Sequence, residues 1–185
     1  MVSPLSPVPC ASRKVLSWDE LLAARVRWRS EGKTVVWTNG CFDLIHLGHV
    51  RNLEACRALG QVLVVGINSD AAVRRLKGSG RPIIPDAERS EMIAALECVD
   101  AVVVFDELTP EACLARLRPE IHCKGADYAP PHGKPIPEAR IVESYGGRIE
   151  FLPLVPSLST TELVRRIRES GERQEDKETG RQGEE

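Results

Sequence analysis

The residues best suited to chemistry lie in the run from Thr38 to His49, which reads TNGCFDLIHLGH. Two of the four histidines, His46 and His49, stand here with Gly48 between them. The run follows an apolar segment, Thr34 to Trp37, that is typical of a buried parallel strand, and it precedes a helical pattern. A strand that turns into a helix aims free backbone N–H groups and the positive helix end at one spot. The sequence therefore predicts a phosphate site with two imidazoles beside it.

Phosphoryl or nucleotidyl transfer is the chemistry that such a site supports. In nucleotidyl transfer a phosphate oxygen that is already an anion attacks phosphorus while pyrophosphate leaves, so no strong base is needed. The protein must align the reactants and neutralise the charge that grows on the transferred phosphorus and on the leaving group. Imidazole donors, lysines and a helix N-terminus meet that need, and a Ser-His-Asp triad is not required.

Strands and helices are predicted to alternate along the chain. A capping box at 17–20 opens a helix that ends near Gly32. Apolar runs predict strands at 34–38, 62–67, 101–105, 120–123 and 148–152. Further helices are predicted after His49 up to Gly60, from 69 or 70, from 86, from 109–111, from 137 to 146–147, and from 159–161. This alternation predicts an α/β fold, a Rossmann-like, doubly wound, mostly parallel five-stranded sheet with helices on both faces.

Polar residues follow four of the predicted strands. Asp43 and the histidines follow the first strand, and residues 68–70, 124–127 and 159–161 follow the second, fourth and fifth. Ligands in such sheets bind outside the carboxyl ends of the strands, so these groups are expected to meet at one rim. Roles as helix caps or turns would explain Ser69, Asp70 and the Ser-Thr-Thr cap, but not the histidines, Lys77 or the Lys124-Gly125 pair.

Length, charge and cysteine usage favour a single cytoplasmic enzyme domain. A chain of 185 residues is close to the usual size of one domain. The net charge of -2 gives no reason to expect nucleic acid or an anionic membrane as a partner, and the sequence has no membrane-spanning run or secretory signal. Six cysteines without a C-x-x-C pair predict reduced thiols. Cys41, His46 and His49 could be imagined as zinc ligands, but no fourth ligand follows with recognisable spacing.

Composition divides the chain into three parts. Residues 1–13 contain three prolines and are predicted to be a flexible leader. Residues 14–169 hold the predicted nucleotidyltransferase domain. Residues 170–185 contain only charged and small polar residues besides glycine, so we predict a disordered tail.

The His-x-Gly-His run resembles the signature of the HIGH-motif nucleotidyltransferases, the cytidylyltransferase-like superfamily. Within this superfamily, several further segments of the sequence resemble the adenylyltransferase domain of bacterial D-glycero-β-D-manno-heptose 1-phosphate enzymes. The segments that carry this closer resemblance are 38–49, 68–70, 75–78 with 81–82, 124–128 and 159–161. That domain is often fused behind a sugar kinase, for which this chain has no room, so a free-standing form is expected.

The resemblance implies a role for each site residue. His46, His49 and Lys77 would be catalytic, with Lys77 reaching in from a flexible loop that runs from 77 to 85. Nucleotide-binding residues would be Thr38, Asn39, Gly40, Phe42, Gly48, Lys124, Gly125, Ser159, Thr160 and Thr161. Substrate-binding residues would be Asp43, Asp70, Arg89 and Asp127. ATP and a sugar 1-phosphate are the implied substrates, and Mg²⁺ is expected on the triphosphate, held mostly by phosphates and water rather than by protein ligands. Relatives suggest a homodimer.

Two other functions remain open on the sequence alone. Cytidylyltransferases for glycerol 3-phosphate or another phosphorylated polyol share the first motif, but they carry Arg-Thr-Glu-Gly before the final Ser-Thr segment, where this chain has LVPSL at 154–158. A non-catalytic nucleotide-binding module could use the same rim. Ala126 in place of a second glycine and the proline-rich segment 130–135 depart from the heptose pattern and bear on the sugar contacts.

Overall fold

Five strands form one parallel sheet in the computed structural model, which describes residues 11–153, 160, 162–167 and 169–170. The strands are β1 (Val35–Gly40), β2 (Val62–Asn68), β3 (Ala101–Phe105), β4 (Ile121–Gly125) and β5 (Arg148–Leu152). The helices are α1 (Trp18–Ser30), α2 (Leu47–Arg57), α3 (Asp70–Lys77), α4 (Asp86–Ala94), α5 (Glu111–Leu117) and α6 (Ala139–Ser144). Short 3₁₀ turns lie at Ser12–Lys14 and Ala126–Tyr128. The predicted fold class is confirmed, and every strand pair is parallel.

The strand order β3-β2-β1-β4-β5 creates a switch point beside β1. The chain runs outward from β1 to β2 and β3 and then returns to place β4 on the other side of β1. The connections on the two sides of β1 lead away from each other, so a crevice opens at the carboxyl ends of β1 and β4. This is where doubly wound sheets bind their ligands.

Helices cover both faces of the sheet, as predicted. On one face, Leu53 and Cys56 of α2 and Ile93 of α4 pack against apolar residues of the central strands. On the other face, Leu21 of α1 and Leu114 of α5 pack against the opposite side of the same strands, together with residues of α6. All seven residues of β2 are buried, which is expected for a parallel strand covered on both sides.

Some helix boundaries differ from the predictions. The capping box at the start of α1 is present, with the Ser17 amide donating to Glu20 Oε2 at 2.8 Å. However, α2 begins at Leu47 rather than after His49, because His46 has extended backbone angles and serves as the N-cap. His49 therefore lies in the first turn of α2, next to the free N–H groups of the helix end.

Part of the sequence-based domain description lies outside the described residues. The predicted leader falls mostly on residues 1–10 and the predicted tail on residues 171–185, neither of which the structure describes. The described cysteines, Cys41, Cys56, Cys98, Cys113 and Cys123, are free thiols. Within the described ranges, no helix combines the length and apolarity that crossing a bilayer requires.

Candidate active site

A cavity of about 810 Å³ opens at the carboxyl ends of β1 and β4. The predicted site residues that line it are Thr38, Asn39, Gly40, Phe42, Asp43, His46, Gly48, His49, Lys77, Lys124, Gly125, Asp127 and Thr160. Asp70 and Arg89 do not line it, and Ser159 and Thr161 lie outside the described residues. The fold therefore brings together residues from widely separated segments, as the position of the switch point predicts.

The two histidines stand against each other at the start of α2. Their rings stack with centroids 3.9 Å apart and planes 24° apart, and the ring of Phe42 lies 5.3 Å from that of His49. The backbone N–H of His46 donates to His49 Nδ1 at 3.4 Å. Since Nδ1 accepts, the proton of the neutral His49 ring lies on Nε2, where it is a hydrogen-bond donor.

Both histidines favour the neutral form. Burial lowers the pKa of His46. Burial, the neighbouring His46 and the charge of Lys77 lower the pKa of His49 to about 4. At neutral pH the pair therefore offers uncharged imidazoles, and the positive charge beside them comes from Lys77 at the end of α3 and from the N-terminus of α2.

The opposite wall of the cavity is built at the end of β4. Lys124 Nζ donates to Glu138 Oε1 at 2.7 Å, and His122 Nε2 donates to the same oxygen at 3.2 Å. Burial opposes ionisation of Glu138, but these hydrogen bonds outweigh it and lower its pKa to about 2. Burial also lowers the pKa of His122, with a further contribution from the charge of Lys124.

Two lysines contact the ring of Tyr128, which lines the cavity. Lys124 Nζ lies 4.3 Å from the centroid of the Tyr128 ring, and Lys134 Nζ lies 5.2 Å from it. Lys134 also forms an ion pair with Asp127, one of the predicted substrate-binding residues. Asp127 is partly exposed, so its carboxylate can still reach a ligand in the cavity.

Asp43 lines the cavity, but its carboxylate is already bonded within the protein. It accepts from the amides of Ile83 at 2.8 Å and Ile84 at 3.0 Å and from the guanidinium of Arg81. Burial raises the pKa of Asp43, and the bonds from Ile84, Arg81 and Ile83 outweigh this, so the net shift is downward. Asp43 therefore anchors the segment 81–84 and has little capacity left for a substrate.

Arg89 and Asp70, which are predicted to bind the substrate, do not line the cavity and lie next to the residues that do. Arg89 is fully buried, and its guanidinium donates to the carbonyl oxygens of Ile84, Asn68 and Cys41 and to Asp70 Oδ1. Every guanidinium nitrogen thus has a protein acceptor. Through its bonds to the carbonyl oxygens of Cys41 and Asn68, Arg89 holds the ends of β1 and β2 together.

Glu138 lines the cavity and His122 bonds to it, and neither was predicted from the sequence. Glu138 follows the proline-rich segment 130–135, where a charged residue is expected to be exposed, but it is only 1% exposed here. His122 lies inside an apolar strand and is fully buried. A histidine two residues before Lys124 on one strand face was the available signal, because alternate strand residues share a face.

Among the described residues, no three His, Cys, Asp or Glu side chains are grouped to hold a metal ion. The described carboxylates that line the cavity are Asp43, Asp127 and Glu138, and each is in an ion pair with a lysine or arginine. The donor set therefore fits a magnesium ion that arrives on the phosphates of a nucleotide better than one held by the protein.

Two curated proteins are similar to this chain in sequence. The bifunctional protein HldE of Geotalea uraniireducens is 48% identical over 160 residues, which cover 86% of this chain and 32% of the relative. The protein of the same name from Syntrophotalea carbinolica is 54% identical over 139 residues, covering 75% of this chain and 28% of the relative. The chain therefore spans about a third of the length of these curated relatives, 32% and 28%.

Two solved structures share the fold. The lipopolysaccharide core biosynthesis protein from Thermoplasma volcanium is 26% identical with a TM-score of 0.53, and the match covers 67% of this chain and 98% of that one. Pantothenate synthetase from Thermus thermophilus is 16% identical with a TM-score of 0.50, over 76% of this chain and 62% of that one, which shows a common fold alone.

The family model described as cytidylyltransferase-like matches residues 37–166. The match begins within β1, includes the histidine pair and the β4 wall, and extends into the helical residues after Thr160. It covers well over half of the chain and confirms the resemblance that the His-x-Gly-His run predicted. The chain belongs to the cytidylyltransferase-like family.

Proposed function

We propose that the chain transfers AMP from ATP to D-glycero-β-D-manno-heptose 1-phosphate, giving ADP-heptose and pyrophosphate for lipopolysaccharide core synthesis. The observation that carries the proposal is the stacked pair of neutral imidazoles at the N-terminus of α2, with Lys77 beside it. The similarity to the HldE proteins and to a lipopolysaccharide core biosynthesis protein supports the choice of substrates.

The reaction needs little covalent help from the protein. A phosphate oxygen of the sugar 1-phosphate attacks the α-phosphorus of ATP, a new P–O bond forms, and the bond from the α-phosphorus to the oxygen bridging to the β-phosphate breaks. Pyrophosphate leaves with that electron pair. The attacking oxygen is already an anion, so His46 and His49 serve as hydrogen-bond donors to the transferred phosphate and not as bases.

The size of the cavity suits two ligands side by side. Its volume of about 810 Å³ is near the upper end of the range for small-molecule sites. The triphosphate would lie against α2 and Lys77, where donors and positive charge are concentrated. Magnesium would enter with the triphosphate and neutralise part of its charge.

Lys124 and Gly125 at the end of β4 would contact the nucleotide, and the acceptor would face the residues that follow them. Asp127 and Tyr128 offer a carboxylate and a phenol that can bond to sugar hydroxyls. Asn39 Oδ1 is buried without a hydrogen-bond partner among the described residues, so it is suited to accept from a bound ligand. A polyhydroxyl acceptor fits this mixture of donors and acceptors better than an apolar one does.

The proposal also covers the cellular location and the oligomeric state of the protein. ATP and sugar phosphates are cytoplasmic metabolites, so we infer that the reaction occurs in the cytoplasm. The homodimer suggested by the family resemblance is likewise a proposal, and sedimentation of the purified protein would test it.

Pyrophosphate release from the purified protein with magnesium tests the function. ATP, CTP and GTP are each paired with the heptose 1-phosphate and with glycerol 3-phosphate. Release only with ATP and the heptose phosphate is expected. Release with CTP and glycerol 3-phosphate, and none with ATP and the heptose phosphate, would overturn the substrate assignment and leave the chemistry in place.

A non-catalytic nucleotide-binding module is the remaining alternative. It is favoured if no pair of substrates releases pyrophosphate. In a working enzyme, His46→Ala or His49→Ala should lower turnover by orders of magnitude with a smaller effect on ATP affinity, because donors used mainly in the transition state affect the rate. An equal loss of rate and affinity would favour simple binding.

A further inference from the structure

Glu138 connects two side chains of β4 through one buried oxygen. It lies directly before α6, lines the cavity and is 1% exposed. Its Oε1 accepts from Lys124 Nζ at 2.7 Å and from His122 Nε2 at 3.2 Å. A buried carboxylate is costly unless it is paired and hydrogen-bonded, and both conditions are met here.

The position of Lys124 in the strand explains why such a partner matters. Trp37 of β1 pairs with His122 of β4, so alternation along the strand puts Lys124 on the same face as His122 but closer to the rim. His122 is fully buried, whereas 14% of the Lys124 side chain is exposed. The ammonium group therefore stands where the buried interior meets the cavity.

An unrestrained lysine would be a poor ligand-binding group at this point. Its long side chain has many rotamers, and ordering it when a ligand binds reduces affinity. The bond to Glu138 and the contact with the Tyr128 ring hold Nζ in place before any ligand arrives. An ammonium has three N–H donors, so donors beyond the one used by Glu138 can reach a ligand in the cavity.

We infer that Glu138 is a positioning residue for nucleotidyl transfer, holding the Lys124 ammonium on the cavity wall so that it meets a phosphorylated ligand in a fixed geometry. The inference deepens the proposed function and rests on it, because Lys124 is proposed to bind the nucleotide. His122 completes the arrangement by donating to the same oxygen and fixing its orientation.

A double-mutant cycle tests whether Glu138 acts through Lys124. The value of kcat/KM for ATP is measured for the wild type, Glu138→Gln, Lys124→Met and the double variant. Glu138→Gln alone should lower kcat/KM about 10-fold, as expected when a hydrogen bond to a charged group is lost. In the Lys124→Met background the same change should lower it by less than about 2-fold, because residues in one network are not additive.

A matched control is available on the neighbouring strand. Glu150 of β5 pairs with Arg148 and is partly exposed away from the residues that line the cavity. Glu150→Gln should leave kcat/KM unchanged. A decrease caused by Glu138→Gln that persists in full in the Lys124→Met background would overturn the inference, since Glu138 would then act on the ligand directly. No effect of Glu138→Gln on the wild type would also overturn it.

Nuclear magnetic resonance separates failure of this inference from failure of the proposed function. In protein labelled with ¹⁵N on lysine, the Lys124 ammonium signal should be visible in the wild type and be lost or shifted in Glu138→Gln. This readout needs no substrate, so it decides the inference even if no nucleotide turns over. An unchanged signal would overturn it. If Glu138→Gln does not fold, Glu138→Asp, which keeps the charge but shortens the side chain, is used in both experiments.

Discussion

Burial, the neighbouring His46 and the charge of Lys77 bring the pKa of His49 down to about 4, so its ring is a neutral donor throughout the physiological range. The hydrogen bond from the His46 amide to His49 Nδ1 leaves the proton on Nε2. A protonated His49 would bind the triphosphate more tightly but would carry its full charge before the reaction begins. A neutral donor in a fixed orientation instead strengthens its bond as charge develops on the phosphate.

An NMR titration of the free protein should show His49 titrating near pH 4, well below the usual histidine value of about 6.5. A non-hydrolysable ATP analogue should raise this pKa, because phosphate charge favours the imidazolium form. His46→Ala should also raise it, since one of the groups that lowers it is removed. A His49 pKa that is the same with and without the analogue would contradict the proposed contact with the triphosphate.

Sequence reasoning identified the histidines because their spacing is a local property. The resemblance places Arg89 among the substrate-binding residues. In the structure its side chain is buried and bonded to three backbone carbonyl oxygens, an arrangement that nothing in the sequence shows. Sequence reasoning missed Glu138 because the proline-rich segment before it predicts an exposed loop. Both arrangements depend on contacts between distant parts of the chain, which tertiary packing determines.

At the scale of elements, the segment between α3 and α4 has two different halves. Residues 78–80 are exposed, and a Cβ placed on Gly78 or Gly80 would meet no atom within 4 Å. From Arg81 to Ile84, in contrast, the segment is bonded to the buried carboxylate of Asp43. The sequence predicts a flexible loop from 77 to 85. In the structure Lys77 is the last residue of α3, and the second half of the predicted loop is anchored to Asp43.

Asp43→Asn should loosen the anchored half of this segment. The substitution keeps the shape but removes the charge that faces Arg81, and it is expected to destabilise the protein by about 2 kcal/mol, the effect of losing a hydrogen bond to a charged group. Hydrogen exchange should increase at the Ile83 and Ile84 amides. Asp127→Asn, which alters an exposed ion pair, is the control for stability and should change it little. Equal exchange in Asp43→Asn and the wild type would contradict the anchoring role.

The N-cap of α1 is not among the residues that line the cavity. A change there should therefore alter the stability of the protein without altering ligand binding. Ser17→Ala removes the side-chain oxygen that accepts from the Glu20 amide at 3.3 Å. Urea unfolding should show a loss of about 1 kcal/mol, the usual effect of an N-cap. The affinity for ATP should not change. A loss of affinity would indicate that α1 influences the cavity.

At the scale of the whole molecule, the parallel sheet determines where the site lies, because it brings residues from separate segments together at the carboxyl ends of its strands. The strands predicted at 101–105 and 148–152 have the observed bounds, because an apolar run between turn residues leaves little choice. The sequence does not show the order of the strands in the sheet, so the position of the switch point beside β1 follows only from the structure. The residues that follow the strands could nevertheless be predicted to meet at one rim. The buried contacts of Arg89 and Glu138 that support this rim could not be predicted.

The pH dependence of stability depends on two groups of the cavity together, the buried Glu138 and the half-buried His49. Glu138 has its pKa lowered to about 2, so the stability it contributes is present above the unfolded value of about 4.5 and is lost as the pH falls from there towards 2. His49 is held neutral in the fold and takes up a proton more readily when unfolded, so it also reduces stability as the pH falls from about 6.5 towards 4.

Urea unfolding at pH 7, 5.5 and 4 should therefore give a free energy of unfolding that decreases at each step. Glu138→Gln should lower it by about 2 kcal/mol at pH 7, where the ionised carboxylate holds Lys124 and His122. The difference from the wild type should shrink towards pH 4 and below. In this range Glu138 takes up a proton in the unfolded wild type, so the stabilisation from its low pKa in the fold is lost. A difference that is constant with pH would show that the side chain acts through its shape and not through its charge.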